Sequence, residues 1–341
     1  LSHPQDAYIF GNLSNLYADP DGIAFFVRNL SKDYKGVPPV LQNLGTVSFR
    51  GEISGYFTDL VTYGEVRTDI GTIKTDVKLS SDKDKGYFAY SGAVKTTGFE
   101  LGRMLNNDKF GKVTFNMDVK GNHYAQRYPA ITMKGLVASI DYSDYTYEDI
   151  TLDGEYKQGG FNGKVALDDP NGSIYLNGDV NVSSRIPTFN FQAIINKLRP
   201  HDLNLTSKYP DTEFSLKLRA NFTGGSVDEM IGEINVDSLE FMSPEKQYFM
   251  NNMNIRASKQ NNENQLRLTS EFLTASVEGK FQYHTLPASI LNIMRKYVPS
   301  LILPPKKPIE THNNFQFDIH IYNTDILSTI FDIPLTVYTH S

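Results

Sequence analysis

Histidine and paired carboxylates are the residues here most able to hold a metal or move a proton, and their spacing supports neither use. The seven histidines are scattered, and none stands at metal-ligand spacing with a partner carboxylate. His312 and His320 lie eight apart on what reads as one strand, which is a chance pair. The acidic pair Asp168-Asp169 precedes Pro170-Asn171-Gly172 and reads as a turn, because the twelve-residue ligand pattern of a calcium loop is missing. No G-x-S-x-G, P-loop or dinucleotide fingerprint occurs. With no cysteine there is no disulfide. No catalytic, metal or cofactor-binding residue is assigned, and the chain is expected not to be an enzyme.

The remaining chemistry is that of an apolar surface. Val113, Phe115, Met117 and Val119 alternate with Lys112, Thr114, Asn116, Asp118 and Lys120; Phe214, Leu216, Leu218, Ala220 and Phe222 alternate with Ser215, Lys217, Arg219 and Asn221; Phe315, Phe317, Ile319 and Ile321 repeat the pattern. A period of two with one greasy and one wet side predicts antiparallel sheet covered on one face. An uncovered apolar face beyond a few hundred Å² marks a binding surface, and acyl chains suit it, since each buried methylene contributes about 0.8 kcal/mol without directional contacts. The candidate lining is Val113, Phe115, Met117, Val119, Phe214, Leu216, Leu218, Leu266 and Leu268. The competing reading is a sheet that folds on itself around a dry core.

The elements that would carry this face are strands from end to end, punctuated by Gly, Asn and Asp. Aromatics are 12%, led by 20 Tyr and 21 Phe, which favours sheet over helix. Asp153-Gly154, Asn162-Gly163, Asn171-Gly172 and Asn177-Gly178 supply hairpin dipeptides, though not all can be turns. Glycines on the apolar side of strands, at Gly51, Gly92, Gly121, Gly178 and Gly279, predict bulges or bends that curl the sheet into a trough. Helices are few: a short one over 99–105, another near 191–198, and the clearest over 286–298, with Thr285 as N-cap, Pro287 in the first turn and Pro299 as stop. Leu303-Pro304-Pro305-Lys306-Lys307-Pro308 reads as a linker, and Arg295, Lys296, Lys306 and Lys307 form the one basic concentration.

The order of hairpins and helix after Gly64 returns after Gly163, roughly a hundred residues on, with a weaker echo from Ile321 through Thr324-Asp325-Ile326-Leu327. Stacked repeats predict a quasi-one-dimensional object. The predicted fold is therefore all-β with a few short helices, an elongated, mostly antiparallel curled sheet or half-pipe with an apolar concave face. Its blocks are a connecting segment over 1–40, a first β block over 41–183, a second over 184–299 ending in the amphipathic helix, and a Pro-rich linker with the start of a further repeat over 300–341. A net charge of −6 argues against nucleic acid as a partner, and no stretch approaches the roughly 20 apolar residues that span a bilayer as a helix.

Leu44-Gly45-Thr46-Val47-Ser48-Phe49-Arg50-Gly51, Gly71-Thr72-Ile73-Lys74-Thr75-Asp76, Phe99-Glu100-Leu101-Gly102 and the run from Phe222-Thr223-Gly224 to Gly232-Glu233-Ile234-Asn235-Val236 resemble the C-terminal regions of TamB and AsmA-like proteins of the Bacteroidota type, over roughly 41–297. The second predicted helix departs from that pattern, with Ile194 and Ile195 in place of the glycine. The resemblance implies a β-taco lined by apolar side chains, in the periplasm of the bacterial envelope, anchored to a membrane through a segment outside this sequence. It further implies phospholipid transport and outer-membrane biogenesis, with phospholipid acyl chains, an outer-membrane β-barrel assembly protein and the rest of a longer chain as partners. A chaperone-like module that assists outer-membrane protein insertion by strand addition is the first alternative, and a carbohydrate-active β-solenoid the second.

Overall fold

The structure is a computed structural model and describes residues 7–22, 24, 39–56, 58–82, 86–124, 127–207, 209–297 and 312–323. It is all-β and mostly antiparallel, with a few short helices. The chain divides into two compact units, one of Leu1–Asn177 with Arg199–Pro210 and one of Gly178–Leu198 with Asp211–Ser341. The predicted linker at 303–308, the third echo at 324–327 and the stop at Pro299 lie outside the described residues, as do Lys306 and Lys307.

The first unit contains β1 (Tyr8–Ala18), α1 (Pro39–Gln42), β2 (Val47–Tyr56), β3 (Asp59–Thr68), β4 (Gly71–Asp82), β5 (Tyr87–Glu100), α2 (Leu101–Leu105), β6 (Phe110–Tyr124), β7 (Arg127–Tyr142), β8 (Tyr145–Lys157), β9 (Gly160–Asp169) and the start of β10 (Gly172–Asn181). From β1 to β9 each strand pairs antiparallel with the next. Residues opposite one another share a face, so the registers define rows across the sheet. One row runs Phe49, Val66, Ile73, Thr96, Phe115, Val137, Ile150, Leu167 over β2–β9. The next runs Gly51, Gly64, Thr75, Val94, Met117, Gly135, Leu152, Val165, and the third Ile53, Thr62, Val77, Gly92, Val119, Met133, Gly154, Gly163.

The registers run through Gly92 and Gly279 without a shift, so no bulge forms at these two predicted positions, and glycine there lets neighbouring backbones approach closely. At Gly92 φ is +150°, and a Cβ there would stand 2.0 Å from the Asp76 carbonyl oxygen on β4, so only glycine lets the two backbones approach. Gly51, Gly178 and Gly279 share such a conformation, with φ of 157°, 157° and 141°. At Gly121 the reason differs: the Tyr90 ring lies over the bare backbone, 2.3 Å from where a Cβ would be.

The second unit continues with the end of β10, β11 (Thr188–Leu198), β12 (Glu213–Thr223), a 3-10 turn (Val227–Glu229), β13 (Ile231–Met242), β14 (Gln247–Gln260), β15 (Glu263–Thr269), β16 (Leu273–Lys280), α3 (Leu286–Tyr297) and β17 (Asn314–Ile321). From β11 to β17 pairing is again antiparallel between successive strands. The row Phe191, Ala220, Ile234, Ile255, Leu268, Ala275, Ile319 crosses all seven of them.

Three local expectations change. The stretch 191–198 is strand, not helix: Phe189, Phe191, Ala193 and Ile195 share one face with their β12 opposites Phe222, Ala220, Leu218 and Leu216, and adjacent β-branched Ile194 and Ile195 fit a pleated surface better than an isolated two-turn helix. The segment read as connecting over 1–40 carries β1, paired with β2 from Tyr8↔Tyr56 to Ala18↔Val47. Of the four turn dipeptides only Asn171-Gly172 joins strands; the other three lie inside β8, β9 and β10. Tight turns form instead at Ser143-Asp144, Gln158-Gly159 and Asn261-Asn262, each with positive φ at both residues, as two-residue hairpins require.

Candidate functional site: the uncharged face of the sheet

In the first unit the three rows above place twenty-four positions on one face of β2–β9, and none is charged. Two of its three threonines bond to backbone of the sheet. Thr96 Oγ1 donates to the Thr72 carbonyl (2.6 Å) and Thr62 Oγ1 to the Val77 carbonyl (3.1 Å), so neither hydroxyl asks for a partner above the face. The opposite face carries the ions, with Lys78 to Asp59 at 3.0 Å and Lys134 to Asp153 at 3.1 Å. Such exposed pairs add little stability, and their effect is to keep that side wet.

The predicted lining falls at graded depths. Val113 is buried in a cluster with Ile70 and Phe99, against which Leu44, Leu101 and Met104 pack, so it is core beneath α2. Phe115 touches the same cluster, while Met117 and Val119 follow along β6, half-buried. α2 is held there by its strand ends: Gly98, at φ +64°, donates to Thr114 Oγ1 (3.1 Å), and Asn106 ends the helix in a left-handed conformation with its N–H on the Arg103 carbonyl.

In the second unit Phe214 lies opposite Leu198 and Phe241. Leu216 and Leu218 pack on a buried trio of Val236, Met250 and Phe272. Leu266 packs on Val277, Phe281 and Leu286, and Leu268 stands half-buried between Ile255 and Ala275. This face is also free of charge from Phe189 on β11 to Ile321 on β17 except at Lys259, near the end of β14. It opens toward β17, where Phe317, Ile319 and Ile321 are 41, 38 and 48% exposed. The same period-two reading would have found Val94, Val137, Ile150, Leu152, Ile234 and Ile255, which extend the predicted lining.

In the second unit α3 is fixed at its start by side-chain contacts. Asn313 donates from Nδ2 to Thr285 Oγ1 (2.9 Å) and Ser289 Oγ (2.8 Å), and its Oδ1 accepts from the Gln282 N–H (3.1 Å). The His284 N–H and ring both meet the Asp228 carboxylate, at 3.1 and 2.5 Å. Burial pushes the Asp228 carboxyl up, but these contacts outweigh it and hold it below its ordinary value. Leu286 and Ile290 of the helix complete the cluster with Phe281 and Phe315.

The other predicted polar sites have local explanations. Asp169 is buried and accepts hydrogen bonds from Tyr145 Oη (2.6 Å) and the Asn171 N–H (2.9 Å), an arrangement that shapes its turn. His320 lies against Asp318 (2.8 Å) on β17, and His312 precedes that strand. Among the described residues no group of three His, Cys, Asp or Glu is placed to hold a metal. No described helix is long and apolar enough to cross a membrane.

What these faces offer chemically is mostly apolar area, half-buried at many positions, with no charged position in the three rows of the first unit and Lys259 as the charged position in the second. Such area takes apolar matter and disfavours an unpaired buried charge. Compared with protein-family models, curated proteins and solved structures, the chain matches none.

Proposed function

We propose that the uncharged faces bind the acyl chains of phospholipid, and that the chain is a lipid-binding or lipid-conducting part of a longer protein of the bacterial envelope, acting in the periplasm in phospholipid transport and outer-membrane biogenesis. One observation carries this reading: strand after strand contributes apolar positions to one nearly charge-free face, and many of these side chains, Met117, Val119, Leu152 and Val165 among them, are only half-buried. Such a surface lowers its free energy by removing methylenes from water, about 0.8 kcal/mol for each. The envelope setting and the partners, an outer-membrane β-barrel assembly protein and the rest of the longer chain, rest on the resemblance in sequence pattern.

The test is extraction of the purified full chain into organic solvent, with native mass spectrometry of the intact protein. Stoichiometric phospholipid supports the proposal, and its loss in Leu152→Asn/Val165→Asn, with circular dichroism unchanged, assigns it to this face. A folded, lipid-free protein that takes up no phospholipid from vesicles contradicts it.

A further inference from the structure

Aromatic side chains also stand on the wet face of the first unit, where the hydrophobic effect gives no reason for them. Tyr8 and Phe10 on β1, Tyr56 on β2 and Tyr63 on β3 are 62, 72, 49 and 64% exposed. Tyr8 and Tyr56 are opposite one another with ring centroids 5.5 Å apart. Tyr63 lies between two carboxylates, opposite Glu52 on one side and Asp76 on the other, and Asn12 is opposite Glu52 in turn. Asn12, Glu52, Tyr63 and Asp76 border a depression of about 580 Å³, and Tyr8, Phe10 and Tyr56 stand on the same face beyond it.

The next row across the same depression is cationic. Arg50, Glu65, Lys74 and Lys95 are successive opposites on β2–β5. Glu65 is taken by Arg67 at 2.6 Å, and among the described residues no ion pair is made by Arg50, Lys74 or Lys95. Lys74 and Lys95 face each other directly, which destabilises a sheet unless an anion lies between them.

A ring with one apolar face, a rim of hydroxyls and an acidic substituent answers all three features. The C–H face of a sugar stacks on a tyrosine, its hydroxyls donate to carboxylates and accept from an amide, and its acid meets the lysines. We propose that this depression binds an acidic polysaccharide, one residue stacked on Tyr63, its hydroxyls on Asn12, Glu52 and Asp76, and its carboxylate on Lys74 and Lys95. Phe10 and the Tyr8–Tyr56 pair extend the aromatic surface along β1 and β2 beyond the depression. The site lies on the face opposite the uncharged rows and does not depend on what those rows bind.

The test is calorimetric titration of the full chain with hexagalacturonate in calcium-free buffer. Saturable binding is expected, at least tenfold tighter than to maltohexaose, and weakened about tenfold or more by Tyr63→Ala and by Lys74→Gln/Lys95→Gln. Tyr63→Phe keeps the ring and retains binding; Lys134→Gln, on the same face outside the depression, leaves it unchanged. The proposal is overturned by absence of heat at millimolar hexagalacturonate, by Tyr63→Ala binding as well as the unaltered chain, or by equal affinity for maltohexaose. It is also overturned if phosphatidylglycerol vesicles bind through Tyr63 and the hexamer does not.

Discussion

Replacing Gly92 by alanine is the sharpest test of how closely β4 and β5 approach. The added methyl would stand 2.0 Å from the Asp76 carbonyl oxygen and 2.8 Å from the Val77 Cα, both backbone atoms of β4 that no rotamer change can move aside. The φ of +150° is itself nearly confined to glycine, and holding alanine there costs about 1–3 kcal/mol. Relief of the contact requires β5 to withdraw from β4, losing two or three ladder hydrogen bonds at about 1 kcal/mol each. The sum is about 3–6 kcal/mol, a large part of the roughly 5–15 kcal/mol that a domain possesses. Gly98→Ala is the control, with φ at +64° and no atom within 4 Å of the new methyl, so only backbone strain of about 1–2 kcal/mol applies. Urea unfolding followed by circular dichroism, with hydrogen exchange at β4 and β5 because two units need not unfold together, reads both variants. A midpoint for Gly92→Ala no lower than that of Gly98→Ala would refute the reasoning.

Two further outcomes follow from side-chain contacts. The Tyr145 phenol is pushed up to about 12, first by burial and then by its hydrogen bond to Asp169. Because the folded state favours the neutral phenol, the stabilisation is complete below the ordinary value of 10.0 and is lost as pH rises through about 12. Asp169→Asn should lower the Tyr145 midpoint in a carbon-13 tyrosine NMR titration; an unmoved midpoint counts against the assignment. Asn313→Ala leaves the buried Thr285 and Ser289 hydroxyls without their shared donor and should loosen the start of α3 by about 1–3 kcal/mol. Hydrogen exchange over Leu286–Tyr297 measures it, and unchanged protection there rules out Asn313 as the anchor.

The period-two faces were legible because a one-residue slip would invert every side chain, so alternation in β6, β12 and β17 had to be written plainly. The same logic failed at β11, where Phe191, Ile194, Ile195 and Leu198 imitate helical spacing and only the pairing with β12 decides between them. Glycine identity marked the positive-φ positions Gly51, Gly92, Gly178 and Gly279, but Gly121 needed the position of the Tyr90 ring, which no local pattern records. Nor could spacing show that Leu203, fully buried, returns to the first unit, where its carbonyl accepts from Tyr147 Oη at 2.8 Å. The depression at Tyr63 was hidden for a related reason. Its neighbours Asn12, Glu52 and Asp76 come from three other strands, and register alone brings them together.

The claim that acyl chains lie on the uncharged face is tested most directly by placing a photoreactive residue at each position of 115–120 in turn, illuminating with phospholipid vesicles, and weighing the adducts. Lipid should attach at 115, 117 and 119, the positions of Phe115, Met117 and Val119, and not at 116, 118 and 120, where Asn116, Asp118 and Lys120 face the wet side. Attachment without that alternation, or none at any of the six, would contradict it.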